Sequence, residues 1–266
     1  MTKGLIRVGV FGAGGRMGAM VCRTVAACEG IELVAAVDPH HSGMDVSRVT
    51  GAELPGLQVA PGPEAMKDAG ASVAVDFTVL EAARKNLKWC AENGVHAVVG
   101  TTGFTEKDHD RFRKTFTNSN CLIAPNFAIG AVMLMRLAEL AAPYFDSAEI
   151  VETHHDAKVD APSGTALEIA ERMAAASKDW ADDPTKNQVV KGARGGEAAP
   201  GIRVHSMRMR GAVAHHEVVL STTGQALTIR HDSYDRASFM PGVVAAIKAA
   251  PNLPGLTIGL DRVLGL

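Results

Sequence analysis

Three glycines, Gly12, Gly15 and Gly18, follow directly on an apolar run at residues 5–11 and open a segment with a helical pattern. Glycine in such a turn can take a positive φ and lets backbone N–H groups approach an anion. The start of the helix adds unpaired N–H groups and the positive end of its dipole. Because Met17 stands where strict G-x-G-x-x-G has its third glycine, the register through Gly12, Gly15 and Gly18 fits better. A tight structural turn is the alternative interpretation.

An acidic residue, Asp38, ends the next predicted strand at residues 31–37. A carboxylate at this place in a strand–loop–helix–strand unit binds the ribose hydroxyls of a dinucleotide, so the context favours a nicotinamide cofactor over a structural turn. Asp38 would repel a 2′-phosphate, and Pro39 follows it where an arginine would attract one, so NADH is the expected cofactor. Three nearby side chains could soften the repulsion and leave NADPH possible: Arg16, His40 and His41.

Composition favours a small-molecule partner. The 266 residues carry a net charge of −2, and no block of like charge suggests nucleic acid or a membrane surface as a partner. No apolar run approaches the roughly 18–20 residues that a membrane span needs, and the N-terminus lacks a signal-peptide pattern. The four cysteines lack C-x-x-C spacing and are expected to be reduced. The chain is therefore expected to be cytoplasmic.

Strand-like and helix-like segments alternate through the first half of the chain. This alternation predicts an α/β fold with a Rossmann-type doubly wound parallel sheet. After the glycine loop, the segments are strands at 73–77, 96–99 and 122–124 and helices at 81–93 and 106–117.

The pattern changes after residue 126. Short turns between strands predict a second, α+β domain with an open antiparallel or mixed sheet. Its expected segments are helices at 131–145 and 165–176, a polar loop at 178–201 and strands at 148–154, 202–209, 217–221 and 226–230. A helix at 236–249 would return to the first domain. The expected domains are 1–126 with 233–266, which binds the dinucleotide, and 127–232.

Three further turns follow strands of the predicted parallel sheet, at residues 76–78, 100–103 and 125–127. Open α/β sheets bind ligands at the carboxyl ends of their strands, so these turns favour a cofactor cleft. Each could instead be a simple strand-to-helix connection.

The segment at residues 152–165 carries the candidate chemistry. In an extended strand, His154 and His155 point to opposite faces, so one can face a cleft while the other supports the loop. The alternation leaves open which histidine does which. Histidine delivers a proton near neutral pH, and the ammonium of Lys158 can pair with a carboxylate.

The same segment ends by opening a helix. Thr165 with Glu168 has capping-box spacing, and Ser163 is a second cap candidate. The N–H groups of Gly164 and Thr165 would suit a substrate carboxylate. A capped helix with exposed histidines is the alternative, and a metal site is disfavoured because no histidine pair has the i, i+4 spacing of a helical zinc site.

The run ETHHDAKVDAPSGTA at residues 152–166 closely resembles the signature of the 4-hydroxy-tetrahydrodipicolinate reductase (dihydrodipicolinate reductase) family. GAGGRMG, DFT, GTTG and APNF match the family in the right order along the chain. The resemblance implies NAD(P)H-dependent reduction of a cyclic imine-type dicarboxylate, 4-hydroxy-tetrahydrodipicolinate, to tetrahydrodipicolinate with release of water. This step belongs to lysine and diaminopimelate biosynthesis.

The resemblance also implies residue roles. His154 would be the general acid, Lys158 would bind a substrate carboxylate and assist protonation, and His155, Gly164 and Thr165 would complete the substrate site. It implies a homotetramer assembled through the sheets of the second domain. The implied cofactor residues are Gly12, Ala13, Gly14, Gly15, Arg16, Met17, Asp38, Phe77, Gly100, Thr101, Thr102, Ala124, Pro125, Asn126, Phe127 and Arg236.

The sequence departs from the family pattern in two places. Pro39 replaces an arginine that several members carry, which weakens an expectation of NADPH. The run AVAHHE at 212–217 differs from the usual glycine-rich G-E-H pattern, so His215 and His216 receive no role. Two other functions remain open from the residues alone: another two-domain Rossmann dehydrogenase, or a non-catalytic NADH-binding sensor.

Overall fold

The computed structural model describes residues 4–266, which form two compact units. The first unit contains residues up to Phe127 and Phe239–Leu266, and the second contains Ala128–Ser238. The expected boundaries stood at 126/127 and 232/233. The chain returns to the first unit at Phe239, later than the expected residue 233, because the last strand of the second unit runs to Ser233.

The first unit contains a seven-stranded sheet in which all neighbouring strands are parallel. Its spatial order is β12-β6-β5-β4-β1-β2-β3, so the order reverses between β1 and β4. This confirms the doubly wound α/β sheet predicted from the alternation. The strands are β1 (Ile6–Phe11), β2 (Ile31–Val37), β3 (Val59–Ala60), β4 (Val73–Asp76), β5 (His96–Val99), β6 (Cys121–Ile123) and, near the end of the chain, β12 (Leu256–Ile258).

The helices of the first unit follow the predicted pattern, with three additions and one correction. The short helices at Val46–Thr50, Glu64–Asp68 and Asp261–Leu264 were not predicted. The predicted helix at 236–249 was wrong in its first four residues, which form a 3-10 turn, because Pro241 favours the first turn of a new helix. The helices are α1 (Arg16–Ala26), α2 (Val46–Thr50), α3 (Glu64–Asp68), α4 (Leu80–Glu92), α5 (Glu106–Thr115), α8 (Met240–Ala249) and α9 (Asp261–Leu264).

The central strands of the parallel sheet are apolar without alternation. Val8 and Val10 of β1 and Val73 and Val75 of β4 have no exposed surface. Strands covered on both faces cannot place polar side chains on either face, which explains the continuous apolar runs in the sequence. The polar groups of this unit therefore gather at the strand ends.

The second unit contains a five-stranded mixed sheet, as predicted, in the order β11-β10-β7-β9-β8. The β7 and β9 strands are parallel, and the other neighbours are antiparallel. Helix α6 packs against β10 and β11, and α7 packs against β7, β8 and β9. The elements are α6 (Ile129–Ala141), β7 (Ser147–His154), α7 (Gly164–Ala176), β8 (Gly196–Ala199), β9 (Ile202–Arg208), β10 (Ala214–Thr222) and β11 (Gln225–Ser233).

Alternation along β7 and β10 separates a core face from an outer face. Ile150, Val218 and Leu220 have no exposed surface, whereas Val151 and Val219 are half-buried. Glu152 has the same parity as Ile150 and is also fully buried. A carboxylate thus lies on the core face of the sheet.

Part of the predicted polar loop at 178–201 is a strand. Residues 196–199 form β8, which pairs only with β9 at the edge of the sheet. An edge strand with one partner needs no apolar alternation, so the loop prediction was wrong there for a physical reason. Among the described residues, no helix has the length and apolar character needed to cross a membrane.

We predict that Gly18→Ala destabilises the protein. A Cβ atom on Gly18 would overlap the carbonyl oxygen of Gly12, and a backbone atom cannot rotate away. Overpacking of this kind costs about 2 kcal/mol in the free energy of unfolding. Helix propensity alone predicts the opposite sign, a gain of up to about 1 kcal/mol. Urea denaturation measures the difference.

Gly164→Ala is the matched control for this stability measurement. Gly164 also lies in a helix, but a Cβ atom there meets nothing within 4 Å. We expect its unfolding midpoint to stay close to that of the wild type. A stabilised Gly18→Ala variant would contradict the close approach of α1 to the loop.

Candidate functional site

The glycine loop uses its own N–H groups to hold its turn. The N–H groups of Gly12 and Ala13 donate to the Val37 carbonyl at 2.8 and 3.2 Å, and that of Gly15 donates to the Gly12 carbonyl at 2.9 Å. Gly12 has a φ of +70°, a conformation that favours glycine. The loop glycines therefore shape the turn and leave anion binding to other donors.

The start of α1 supplies those donors. Gly15 is its N-cap and provides no side-chain cap, so the helix itself offers the N–H groups of Arg16 and Met17 no acceptor. A Cβ atom on Gly14 would collide with the His41 ring and the Asp38 carboxylate. A glycine cradle, free helical N–H groups and a nearby carboxylate fit the pyrophosphate and ribose of a nicotinamide dinucleotide.

Asp38 is held against the loop as an ionised acceptor. Its Oδ2 accepts the Gly14 N–H at 3.0 Å, its Oδ1 accepts the His40 N–H at 3.0 Å, and Nδ1 of His41 lies 3.1 Å from Oδ1. Burial favours the protonated acid, but these three partners outweigh burial and hold the pKa of Asp38 below its ordinary value. The carboxylate is thus charged at the end of β2.

A second buried carboxylate, that of Asp76, joins two of the predicted turns. Its Oδ1 accepts the N–H and the hydroxyl of Thr78 at 2.8 and 2.7 Å, and the hydroxyl of Thr101 at 3.1 Å. Its Oδ2 accepts from the Asn86 side chain at 2.7 Å. The turns after β4 and β5 therefore lie together, as expected from their places at strand ends.

Aromatic packing adds the third turn to this group. The Phe77 and Phe127 rings lie 5.6 Å apart between centroids. A Cβ atom on Gly100 would strike the Phe77 ring, so the turn after β5 must begin with glycine. Thr102 is exposed, whereas Ala124 is fully buried and donates its N–H to the Val99 carbonyl at 3.0 Å.

His154 lies at the end of β7 and is oriented by its own strand. Its Nδ1 hydrogen-bonds Oε2 of Glu152, and its side chain is 12% exposed. The ring packs edge-on against His216, with centroids 5.3 Å apart. Because β7 ends at His154, the alternation that would set the direction of His155 ends there too.

The Glu152 carboxylate is shared among three elements. Arg208 of β9 donates Nη1 to Oε2 and Nη2 to Oε1, each at 3.0 Å, and the Ser163 N–H donates to Oε1 at 3.3 Å. Burial would raise the pKa of Glu152, but hydrogen bonds from Arg208, Ser206 and His154 keep it below its ordinary value. The carboxylate is therefore ionised although it is fully buried.

Ser163, and not Thr165, is the N-cap of α7. The Ser163 hydroxyl accepts the Ala166 N–H at 3.2 Å, so the capping-box interpretation of Thr165 with Glu168 was wrong. The hydroxyl also lies 3.1 Å from Nε2 of His216. Ser163 rather than Thr165 is the N-cap because its backbone is extended, with ψ of 151°, as an N-cap residue requires.

His216 is a residue that sequence reasoning missed. It is 4% exposed, and burial lowers its pKa to about 4, so the ring is neutral near pH 7. The signal was present in the chain: alternation through Val218 and Leu220 extends back to His216 on the core face. His215 points to the other face, where Nδ1 lies 2.7 Å from Asp232.

Lys158 lies in a turn after β7 and has a carboxylate partner. The Lys158 ammonium donates to both carboxylate oxygens of Asp160 at 2.8 Å. The backbone N–H of Lys158 donates to the His155 carbonyl at 3.1 Å. The Lys158 side chain is 21% exposed and that of Asp160 is 57% exposed. A ligand carboxylate can therefore replace Asp160 on this ammonium without uncovering a buried group.

The second unit thus brings His154, His155, Lys158 and Gly164 into one short segment. Burial lowers the pKa of His154; Glu152 opposes this, while Lys158 and Arg208 add to it. Arg236 lies exposed in the second unit, whereas the other predicted cofactor residues all belong to the first unit. Over residues 4–266, no three His, Cys, Asp or Glu side chains cluster as a metal site requires.

Comparison with known proteins gives full-length matches. Residues 6–127 match the family "Dihydrodipicolinate reductase, N-terminus" and residues 130–264 match "Dihydrodipicolinate reductase, C-terminus". The 4-hydroxy-tetrahydrodipicolinate reductases of Cutibacterium acnes and Nocardia farcinica are each 46% identical to the chain. The first match covers 98% of the chain and 100% of the relative, and the second covers 98% and 99%.

A solved structure agrees with these matches. The dipicolinate-bound dihydrodipicolinate reductase from Paenisporosarcina sp. TG-14 superposes with a TM-score of 0.85 at 37% identity, covering 97% of this chain and 99% of that one. The resemblance drawn from the sequence motifs is confirmed along the whole chain: the protein belongs to the dihydrodipicolinate reductase family.

Proposed function

We propose that this protein reduces 4-hydroxy-tetrahydrodipicolinate to tetrahydrodipicolinate, with NADH or NADPH as the reductant. The observation that carries the proposal is the cluster of His154, Glu152 and Lys158 at the end of β7, in a chain of this family. Substrate, NAD(P)H and a proton give tetrahydrodipicolinate, NAD(P)+ and water. By the same family relationship, the reaction serves lysine and diaminopimelate biosynthesis in the cytoplasm.

The first unit would hold the cofactor. The N–H groups of Arg16 and Met17 would bind the pyrophosphate, and the Asp38 carboxylate would accept from the ribose. The two turns joined by Asp76 and the third turn packed against them through Phe127 would form the rest of the site. The residues are Phe77, Gly100, Thr101, Thr102, Ala124, Pro125, Asn126 and Phe127. Nicotinamide supplies the hydride when the cofactor is bound.

The second unit would hold the substrate dicarboxylate. Lys158 would exchange Asp160 for one carboxylate, and the N–H groups at the start of α7, at Gly164 and Thr165, would bind another. His155, in the same turn as Lys158, would complete the site. Two bound carboxylates orient the substrate ring, and such orientation lowers the activation free energy by several kcal/mol.

His154 would supply the proton. In the resting protein, burial and the cations Lys158 and Arg208 keep its pKa low. A dicarboxylate on Lys158 adds negative charge beside the imidazole, and negative charge favours the protonated ring. Substrate binding would therefore prepare the acid that the reaction consumes.

The cofactor preference follows from Asp38. A charged carboxylate between the Gly14 and His40 N–H groups accepts ribose hydroxyls and repels a 2′-phosphate, so we propose NADH as the preferred cofactor. His40 and His41 flank the carboxylate and leave NADPH usable.

We further propose a homotetramer formed through the sheet of the second unit, as the family implies. The outer face of that sheet supports this assembly. Val151 and Val219 on this face are half-buried and Met207 is 42% exposed, so the face offers apolar surface to a copy of itself.

We predict that Lys158→Ala loses about 100-fold in kcat/KM, mainly through KM for the dicarboxylate. A charge-assisted hydrogen bond contributes about 1.5–3 kcal/mol, which corresponds to this loss. The assay makes the substrate in situ from pyruvate and aspartate semialdehyde with the preceding synthase and follows the oxidation of NADH and of NADPH.

His215→Ala is the matched control for that measurement, because His215 pairs with Asp232 on the outer face of the same sheet. We expect it to keep nearly full activity. Equal rates for the two variants would reject the assignment of Lys158. No oxidation of either cofactor by the wild type would reject the proposed function in favour of another dehydrogenase or an NADH sensor.

We predict that Asp38→Asn raises the ratio of kcat/KM for NADPH to that for NADH by about tenfold. Removing one negative charge near a 2′-phosphate relieves about 1–2 kcal/mol of repulsion at the protein surface. Asp45→Asn removes a comparable charge that also accepts backbone N–H groups, those of Ser47 and Gly56, and should leave the ratio unchanged. A ratio unaltered by Asp38→Asn would place cofactor discrimination elsewhere.

A further inference from the structure

The ion pair of Glu152 and Arg208 stands directly behind the proposed proton donor. Glu152 has no exposed surface, and Arg208 binds both of its oxygens. Burying such a pair costs desolvation energy and is poor evidence for stability on its own. A core position that keeps a charge therefore calls for a reason other than packing.

We infer that Glu152 and Arg208 are positioning residues that fix the His154 ring so that Nε2 is the atom that transfers the proton. This inference rests on the proposed function. It extends that function by giving a role to two residues, Glu152 and Arg208, that the resemblance leaves without one, and by naming the ring nitrogen that transfers the proton.

The tautomer follows from the chemistry of the partners. An ionised carboxylate only accepts hydrogen bonds, so Nδ1 of His154 must carry a hydrogen to bond Oε2 of Glu152. The neutral ring then has its lone pair on Nε2, and the protonated ring adds its proton there. Within residues 4–266, Glu152 is the side chain that hydrogen-bonds the His154 ring and so selects between its two nitrogens.

Arg208 connects the same carboxylate to the loop that carries Lys158. Its Nη2 donates to the Asp160 carbonyl at 2.6 Å as well as to Glu152, and the Ser163 N–H donates to the carboxylate from the other end of the loop. One carboxylate–guanidinium pair thus sets the His154 ring and both ends of the loop at 160–163. The Glu152–Arg208 ion pair therefore positions both the proton donor and the loop that follows the carboxylate-binding Lys158.

Glu149 of the same strand belongs to a second Glu–His–Arg group, with His205 on β9 and Arg194. Glu149 bonds His205 and, at 2.6 Å, Arg194, but it lies on the outer face and is 30% exposed. It has the same residue types and touches none of the proposed site residues. Glu149→Gln is therefore a matched control for Glu152→Gln.

The charges around His154 fix the sign of the pH effect. Burial lowers the pKa of His154 most. Glu152 on β7 raises this pKa, and Lys158 in the following turn and Arg208 on β9 lower it further. The neighbouring ring on β10, His216, is neutral near pH 7. Replacing Glu152 by Gln removes the one contribution that favours the protonated ring, so the pKa of His154 falls.

The first experiment uses the wild-type protein and needs no turnover. Protein labelled with ¹⁵N-histidine gives the tautomer of each ring by NMR, and a His154→Asn sample identifies the His154 signals. We expect the Nδ1–H tautomer at His154 in the neutral ring. The Nε2–H tautomer would overturn the inference, whatever the enzyme does in an assay.

The second experiment compares Glu152→Gln with Glu149→Gln in the same reductase assay across pH. A general acid must be protonated, so kcat/KM falls as pH rises through the pKa of His154 in the free enzyme. We expect Glu152→Gln to lose about tenfold or more in kcat. The fall of kcat/KM at alkaline pH should begin about one pH unit lower than in the wild type. KM for the cofactor should stay constant, and Glu149→Gln should match the wild type in all three.

These outcomes separate the inference from the proposed function. A Glu152→Gln variant whose kcat and pH dependence of kcat/KM equal those of the wild type overturns the inference. A wild type that oxidises neither cofactor overturns the proposed function, while the NMR result still decides whether Glu152 fixes the ring. If Glu152→Gln does not fold, the double variant Glu152→Leu, Arg208→Met removes both charges and also the acceptor for Nδ1 of His154. A detectable Nε2–H tautomer at His154 is then the expected result, and an unchanged Nδ1–H tautomer overturns the inference.

Discussion

A carboxylate with no exposed surface, that of Glu152, holds the second unit together where the proposed chemistry occurs. It stays ionised because a guanidinium, an imidazole and a backbone N–H all point at it. A buried charge without these partners would cost several kcal/mol, so each partner must lie where the carboxylate needs it. The end of β7, the loop after it and the end of β9 are therefore not independent in position.

The first unit uses carboxylates in the same way. Asp38 bonds the glycine loop to the end of β2, and Asp76 bonds the turns after β4 and β5. Parallel strands buried on both faces leave polar side chains only at their ends, and each carboxylate there accepts N–H or O–H groups that the sheet does not use. Gly14 and Thr101, which belong to the proposed cofactor site, bond directly to these two acids.

Helix and strand periods in the sequence predict the elements of this fold, but they do not predict contacts between residues far apart in the chain. The strand–helix alternation, the glycine loop and the mixed second sheet follow from local patterns, and the structure confirms the fold that they predict. The edge strand β8 was missed because one-sided pairing leaves no apolar pattern. The contact of His216 with Ser163, 53 residues away, leaves no local pattern in the sequence. Ser163 and Thr165 both fit capping patterns, and the extended backbone of Ser163 decides between them.

The distance between Glu152 and Arg208 along the chain bears on the order in which the protein folds. The two residues are 56 positions apart and meet only when the parallel crossover from β7 through α7 to β9 has closed. The β10–β11 hairpin needs far shorter loops and can form first, since loop-closure entropy rises with chain separation. During synthesis, β7 emerges long before β9, and until the crossover closes Glu152 is a solvated side chain beside an unoriented histidine. A nascent chain thus carries His154 and Glu152 before it carries Arg208, and the ion pair that orients the proposed proton donor forms only after β9 has been made.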